Sequence, residues 1–193
     1  MEHLPNFKAI LSAEWIHLPD HETLPKVNST PPFTRAQHIQ DVIKSFRGEL
    51  INSEVSTIHC TFPSVFEGIL ASIELLKRFR DKSGASIRLA MHYGPMVNSS
   101  CPLNVDIIKV VVQLQSHGKP NTVVVSKSVY EQMISHPQFK ARSLGKFEIQ
   151  GLTGLNELFV LIGFGLTPPS GMGWINRIRE SIQIAGSSIR SFF

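Results

Sequence analysis

The chain has 193 residues, of which 42% are hydrophobic, and its 19 basic and 15 acidic residues give a net charge of +4. This length suits one globular domain with an appendage. No stretch approaches the roughly 18 apolar residues of a membrane-spanning helix, and the N-terminal residues do not have the pattern of a signal peptide. The basic residues are scattered rather than gathered in a stripe, so a nucleic-acid partner is not expected.

The cysteine content bears on the cellular compartment. Cys60 and Cys101 are the only cysteines, which is too few for a disulfide framework. Two free thiols are typical of proteins in a reducing compartment, so the sequence predicts a cytoplasmic protein.

Strands and helices alternate along the first part of the chain. The apolar run 7–16 predicts a strand, and the proline-rich residues 20–33 predict a loop. Residues 34–47 carry apolar side chains at helical spacing, and Gly48 predicts the end of that helix. The β-branched residues of the segment 50–62 then favour a hairpin.

A longer helix and a further strand come next. Residues 63–82 predict a helix, because apolar side chains recur on one helical face; they are Phe66, Ile69, Leu70, Ile73, Leu76 and Phe79. Residues 87–97 predict a strand in which Arg88 and His92 belong to the more polar face. The dipeptide Gly94-Pro95 predicts that this strand ends there in a turn.

The second half of the chain begins with an ambiguous segment. The β-branched residues of 106–117 favour a strand, whereas the spacing of Ile108, Val111 or Val112, and Gln115 fits one face of a helix. Residues 122–125 predict a short buried strand, and Ser126 is placed to cap a helix that follows. A last antiparallel pair is predicted over 139–149 and 155–161. Such interleaving predicts an α+β fold with a ferredoxin-like antiparallel sheet that is covered on one face by helices.

The end of the chain has a different composition. Residues 1–163 are the predicted domain, residues 164–173 a linker, and residues 174–193 a C-terminal amphipathic helix. The apolar stripe of that helix recurs at spacings of three and four, and Trp174 opens it: Trp174, Ile175, Ile178, Ile182, Ala185, Ile189 and Phe192. Three interpretations stay open, namely docking on its own domain or on a second subunit, peripheral binding at a membrane surface, and no role.

Three stretches resemble the class III nucleotidyl cyclase homology domain, the fold of adenylate and guanylate cyclases. They are IRLAMHYGPMV (87–97), QLQSHGKPNTVVVSKSVYEQM (113–133) and LGKFEIQGLTGLNELFVLI (144–162), in the order and spacing of that family. The resemblance covers roughly residues 7–163. It implies a helix over 106–117, where the residues alone leave the choice open.

The resemblance also implies a reaction, and the positions that would carry it are changed. Family members cyclise a nucleoside triphosphate with two divalent metal ions, Mg or Mn, held by two aspartates. Glu14 falls at the first aspartate and is a possible metal ligand. Ser56 falls at the second aspartate and brings no charge. Sliding the match by two residues would offer Glu54 instead.

The other family roles are changed as well. Asn52 falls where the family has a base-reading lysine. Lys109 and Gln113 fall where it has the asparagine and arginine that orient the ribose and bind the phosphate. Gln150 falls at the lysine of the terminal hairpin. With one carboxylate left, the resemblance implies a catalytic site that is no longer intact, and no cofactor is expected.

Three functional hypotheses follow from these matches. The first is a catalytically inactive cyclase-like domain that acts as a regulatory or scaffolding module in signalling, as a homodimer or a heterodimer with a cyclase-like partner. The second is a divergent cyclase, or one half of a heterodimeric cyclase, with Glu14 and Mg or Mn. The third is a sensor in which Lys109 and Asn52 hold a nucleotide or anion without turnover.

Overall fold

A computed structural model describes residues 6–17, 32–54, 56–80, 85–96 and 103–163. The predicted linker and C-terminal helix, with all the residues of the apolar stripe, lie outside this range, as do Cys101 and most of the predicted loop over 20–33. The described elements follow the predicted order of strands and helices: β1 (Asn6–His17), α1 (Pro32–Ser45), β2 (Glu49–Ser53), β3 (Thr57–Phe62), α2 (Val65–Arg80), β4 (Ala85–Met96), α3 (Leu103–Ser116), β5 (Thr122–Ser126), α4 (Lys127–Met133), β6 (Lys140–Glu148) and β7 (Leu155–Ile162).

The seven strands form one sheet in the order β2-β3-β1-β4-β5-β7-β6. The first four strands have the ferredoxin-like order that was predicted. The β4–β5 pair is parallel, whereas every other pair in the described sheet is antiparallel. The sheet is therefore mixed: the prediction of an α+β, ferredoxin-like fold is confirmed, and the antiparallel pairing in that prediction is wrong for the β4–β5 pair. The physical reason is the crossover helix α3. It carries the chain back to the end of the sheet where β4 begins, so β5 runs in the same direction as β4.

Helices lie on both faces of this sheet, so the prediction that they cover one face is also wrong. The helices α1, α2 and α4 share one hydrophobic core with β-strand residues such as Leu11 and Leu89. On the opposite face, Val110 and Leu114 of α3 pack in a second core with Ile10 and other strand residues. The central strands β1, β4 and β5 consequently bury residues on both faces, as parallel-sheet strands do.

The helix α1 ends just before Gly48, as expected, but Gly48 is not its left-handed residue. The left-handed residue is Arg47, with φ of 58°, and the Gly48 N–H donates to the carbonyl of Ile43 at 2.8 Å, as in a Schellman-type helix end. A Cβ on Gly48 would lie 2.6 Å from a ring carbon of Phe62. Gly48 is needed because α1 ends in close contact with β3, and not because of its own φ angle.

Strand β4 extends past the dipeptide that was expected to end it. Gly94 pairs with Lys8 and Pro95 with Phe7, so the turn predicted there is wrong. In the described sheet, β5 pairs with β4 only from Arg88 to Met91. Gly94 and Pro95 therefore lie where β4 has a neighbour on one side, and a residue without an N–H is tolerated at such a position.

Two expectations about α2 and α4 need correction. Phe66 was placed on the buried stripe of α2, yet it is 41% exposed, and Val65 faces the core instead. Ser126 lies at the N-cap position of α4, but its hydroxyl does not cap a backbone N–H. That hydroxyl shares a hydrogen bond with the hydroxyl of Ser128 at 2.9 Å.

Candidate functional site

Glu14 lies on β1 directly opposite Arg88 on β4. Arg88 Nη2 contacts Glu14 Oε2 at 2.9 Å, and both side chains are about one-third exposed or less, at 27% and 32%. The carboxylate at the first metal-binding position is therefore held by a guanidinium group. Ion pairing of this kind neutralises the charge that a divalent cation would need.

The turn between β2 and β3 lies beside Glu14, as the resemblance implies for Ser56. The Trp15 N–H donates to the carbonyl of Ser56 at 3.0 Å, and Thr57 is opposite Glu14 in the β1–β3 pair. Ser56 is exposed and supplies a hydroxyl where the family has a carboxylate. The structure thus brings the two matched positions together while leaving only one carboxylate between them.

The alternative carboxylate, Glu54, is exposed in the same turn. Asn52 Nδ2 donates to Glu54 Oε1 at 3.3 Å, so the residue at the base-reading position and the alternative metal ligand contact each other. Asn52 lies on β2 and Glu54 directly follows it, so both residues are at the edge of the sheet, because β2 is an edge strand.

Magnesium and manganese bind several oxygen ligands, mainly carboxylates and water. Among the residues that the structure describes, no group of three or more His, Cys, Asp or Glu side chains is close enough to hold a metal ion. Glu14 alone, with Arg88 at hydrogen-bonding distance, does not fit a two-metal site.

Gln113 and Gln150, the positions of the family's arginine and terminal lysine, bind each other. The Gln150 backbone N–H donates to Gln113 Oε1 at 2.8 Å, and Gln113 Nε2 lies 3.4 Å from Gln150 Oε1. These contacts join α3 to the β6–β7 hairpin beside a shallow groove that also includes Glu148. Lys109 is exposed on α3, one turn before Gln113. The pair offers neutral amides, and the groove holds a carboxylate, which disfavours a phosphate group.

Gln115, a residue in none of the family-matched site positions, forms three hydrogen bonds here. Ser12 Oγ donates to Gln115 Oε1 at 3.0 Å. Gln115 Nε2 donates to the carbonyl of Arg88 at 2.8 Å and to that of Ser12 at 3.3 Å. Gln115 is 4% exposed and Ser12 is fully buried, so α3 is bonded to β1 and β4 next to the Glu14–Arg88 pair. The available signal in the sequence was that Gln115 shares one helix face with apolar residues such as Ile108.

Histidine and cysteine side chains near this site are poorly suited to proton transfer or nucleophilic attack. Burial lowers the pKa of His92 to about 4. Burial also lowers the pKa of His59, against a smaller opposite effect of Glu54. The Nδ1 atoms of both histidines are buried without a hydrogen-bond partner among the described residues. Cys60 is buried in the core on the other face, where desolvation raises the pKa of its thiol.

The sequence matches no family model and no curated protein. The fold, in contrast, matches solved cyclase domains. An adenylate/guanylate cyclase/hydrolase from Silicibacter pomeroyi is 15% identical with a TM-score of 0.63, over 81% of this chain and 96% of that one. A dimeric guanylyl cyclase domain from the fungus Blastocladiella emersonii is 11% identical with a TM-score of 0.64, over 82% and 97%.

Adenylate cyclases from Trypanosoma brucei, solved in their monomeric state, are similar at 11% identity and a TM-score of 0.62, over 86% of this chain and 91% of theirs. Likeness at such low identity establishes the fold and not the activity. The chain therefore has the fold of the adenylate and guanylate cyclase domains, as the three sequence stretches predicted. In the part of the chain that the structure describes, no helix is long and apolar enough to cross a membrane.

Proposed function

We propose that this chain is a catalytically inactive cyclase-like domain that works by association with a partner, as a regulatory or scaffolding module in signalling. The observation that carries the proposal is the Glu14–Arg88 ion pair. A divalent metal at Glu14 would have to displace a guanidinium group already bound to the carboxylate. The neighbouring Ser56 would not compensate, because a neutral hydroxyl is a weak ligand for a hard cation.

The Gln113–Gln150 contact supports the same proposal from the other half of the site. Transfer of a phosphoryl group requires cations at the phosphate oxygens, because charge is spread over those oxygens in the transition state. Two amides that bond to each other supply no such charge. The loss of catalysis is therefore proposed for both halves, and it rests on the chemistry of the side chains at those positions.

Association is proposed because exposed apolar side chains remain on the sheet and on α3. Leu50, Val112 and Leu155 are 45%, 43% and 64% exposed. These side chains lie on three different elements, β2, α3 and β7, and each is available for contact with a partner. The fold occurs in a protein described as dimeric and in proteins solved as monomers, so it accommodates both states. We expect a homodimer or a heterodimer with another cyclase-like domain.

The direct test is an assay of the purified chain with Mg and with Mn on ATP, GTP, CTP and UTP. Absence of cyclic product is the expected result, and robust turnover would refute the proposal. Light scattering on the full chain and on a form without residues 167–193 measures the association. A monomer at all concentrations, alone and with a cyclase-like partner, would contradict a role based on association.

A divergent or half cyclase remains the competing function, and the observation that favours it is the retained carboxylate of Glu14 beside the β2–β3 turn. In that case Glu14→Ala should abolish turnover that the unmodified chain shows with a complementary partner. A nucleotide sensor is separated by calorimetry with nucleotides in the absence of metal. Binding heat that Lys109→Ala or Asn52→Ala removes would favour the sensor over the inactive module.

A further inference from the structure

An apolar groove lies between the start of α2 and the end of α4, on the face of the sheet opposite α3. It encloses about 120 Å³. Ser64 and Gln132 lie at its polar rim, and the remaining lining is apolar or aromatic: Val65, Phe66, Ile69, Met133, His136 and Phe139. We call it the α2–α4 groove.

The aromatic residues of the α2–α4 groove form a small cluster that is open to solvent. The ring of Phe66 lies edge-on to that of Phe139 with centroids 5.4 Å apart, and it is 5.6 Å from the ring of His136. Phe66 remains 41% exposed, and Ile134 beside the groove is 67% exposed. Large apolar side chains grouped in this way indicate a contact surface more often than isolated ones do.

The described chain ends next to the α2–α4 groove. In the last strand pair, Ile162 is opposite Lys140, and Lys140 directly follows Phe139, which lines the groove. Paired residues of neighbouring strands lie about 5 Å apart. Phe159 and Leu161 of β7 belong to the same core as α2 and α4, so the end of β7 borders the sheet face that carries the groove.

The segment that follows Gly163 has the composition that such a groove would bind. Residues 164–173 are rich in glycine and proline, and ten residues reach at most about 35 Å when extended. Beyond them come Trp174, Ile175 and Ile178 at the spacing of one helical face. The linker is thus long enough for this apolar stripe to reach the α2–α4 groove, because residue 163, the last described residue, follows the end of β7 beside that groove.

We propose that residues 174–193 dock on their own domain, with the apolar face that begins at Trp174, Ile175 and Ile178 in the α2–α4 groove. An attached segment has a high effective concentration at a nearby site, so docking on the same chain is favoured over docking on a second copy. The contact does not depend on whether the cyclase-like site is active.

The chain contains two tryptophans, Trp15 and Trp174, which makes the test direct. Trp15 is buried in the core, and Trp15→Phe leaves Trp174 as the only tryptophan reporter. In this background we expect the fluorescence emission of Trp174 to be blue-shifted, protected from iodide quenching and independent of protein concentration. Fully exposed emission at every concentration would overturn the proposal.

Substitutions on both sides of the contact identify the groove. Ile175→Asp with Ile178→Asp should expose Trp174, shifting the docking equilibrium about tenfold or more, because a charge in an apolar contact is strongly unfavourable. The matched control is Asn176→Asp with Gln183→Asp, which adds the same charge to the opposite helical face and should leave the emission unchanged.

On the domain side, Phe66→Ser should expose Trp174, whereas Val112→Ser should not. Val112 is exposed to a similar extent, 43% against 41% for Phe66, but it lies on α3 at the other face of the sheet. Protection that survives Phe66→Ser would overturn the assignment to this groove. Protection that appears only as protein concentration rises would show docking on a second copy, and protection only after addition of anionic vesicles would show membrane binding; each result would contradict the proposal.

Discussion

Substitution of Gln115 by leucine isolates the polar bonds that hold α3 to the sheet. Leucine has a similar size, so the change removes hydrogen bonds without opening a large cavity. The Ser12 hydroxyl is fully buried and would lose the acceptor that it now has at 3.0 Å. The carbonyl of Arg88 would lose a donor at 2.8 Å. We expect Gln115→Leu to destabilise the fold.

The magnitude follows from the buried groups that are left without partners. Each such group costs about 1–3 kcal/mol, and the hydroxyl of Ser12 is the clearest case. A loss of about 2 kcal/mol lowers the Tm of a domain of this size by roughly 4–8 °C. Thermal and urea unfolding followed by circular dichroism measure both quantities.

A double-mutant cycle with Ser12→Ala then tests the cause. Once Ser12 has no hydroxyl, Gln115→Leu should cost about 1 kcal/mol less than it does alone. Gln113→Leu, two positions earlier on the same helix, removes a partly exposed amide and should change the stability by about 0.5 kcal/mol or less. Additive effects in the cycle, or equal losses at positions 113 and 115, would refute the reasoning.

Three further predictions concern the core. Burial lowers the pKa of His92 to about 4, from 6.5 in the unfolded chain. The contribution of His92 to stability is therefore complete above about pH 6.5 and falls by up to about 3 kcal/mol as the pH drops toward 4. His92→Leu should make the fall of the urea midpoint at low pH shallower, and an unchanged pH dependence would contradict this. Gly48→Ala should destabilise the fold by about 1–3 kcal/mol, because its Cβ would lie 2.6 Å from Phe62, and equilibrium unfolding measures the loss. In a Cys101→Ser background, Cys60 should resist alkylation by iodoacetamide until the chain unfolds, since its thiol is fully buried; rapid modification of the native protein would contradict this.

Much of the fold could be predicted because local patterns and tertiary packing agree. The order of all eleven described elements and the ferredoxin-like order of the first four strands were predicted correctly. The parallel β4–β5 pair was not, although α3 had been predicted as a helix between the two strands. The reason is that pairing direction depends on which edge a crossover reaches, and periodicity within a segment does not report it.

The second apolar face of the sheet was missed for a related reason. Arg88 and His92 made the α3 side of β4 appear polar, yet His92 is 8% exposed and Arg88 is paired with Glu14. A polar side chain can be buried when it is paired with another group, or when burial keeps it in its neutral form. A sequence shows that such residues are present but not which residues lie opposite them.

The sequence indicated which positions to compare with the family's catalytic site, but not which side chains contact each other there. The structure places Glu14 beside the turn that contains Ser56 and joins Gln113 to Gln150. The Arg88 guanidinium that binds Glu14 could not be predicted, because it depends on the register of two strands far apart in sequence. The absence of nucleotide turnover at this site stays a prediction, which the assays proposed above test.

The long β1–β4 pair has a consequence for how the chain folds. It runs without interruption from Asn6 opposite Met96 to His17 opposite Ala85, so the middle of the sheet joins segments that are distant in the sequence. The hairpins β2–β3 and β6–β7, in contrast, close short loops. Non-local contacts slow folding because a large loop must close before they form. We expect the rim of the sheet to form in a fast kinetic phase and the centre in a later one, with β3 and β7 exposing unpaired edges in the interval.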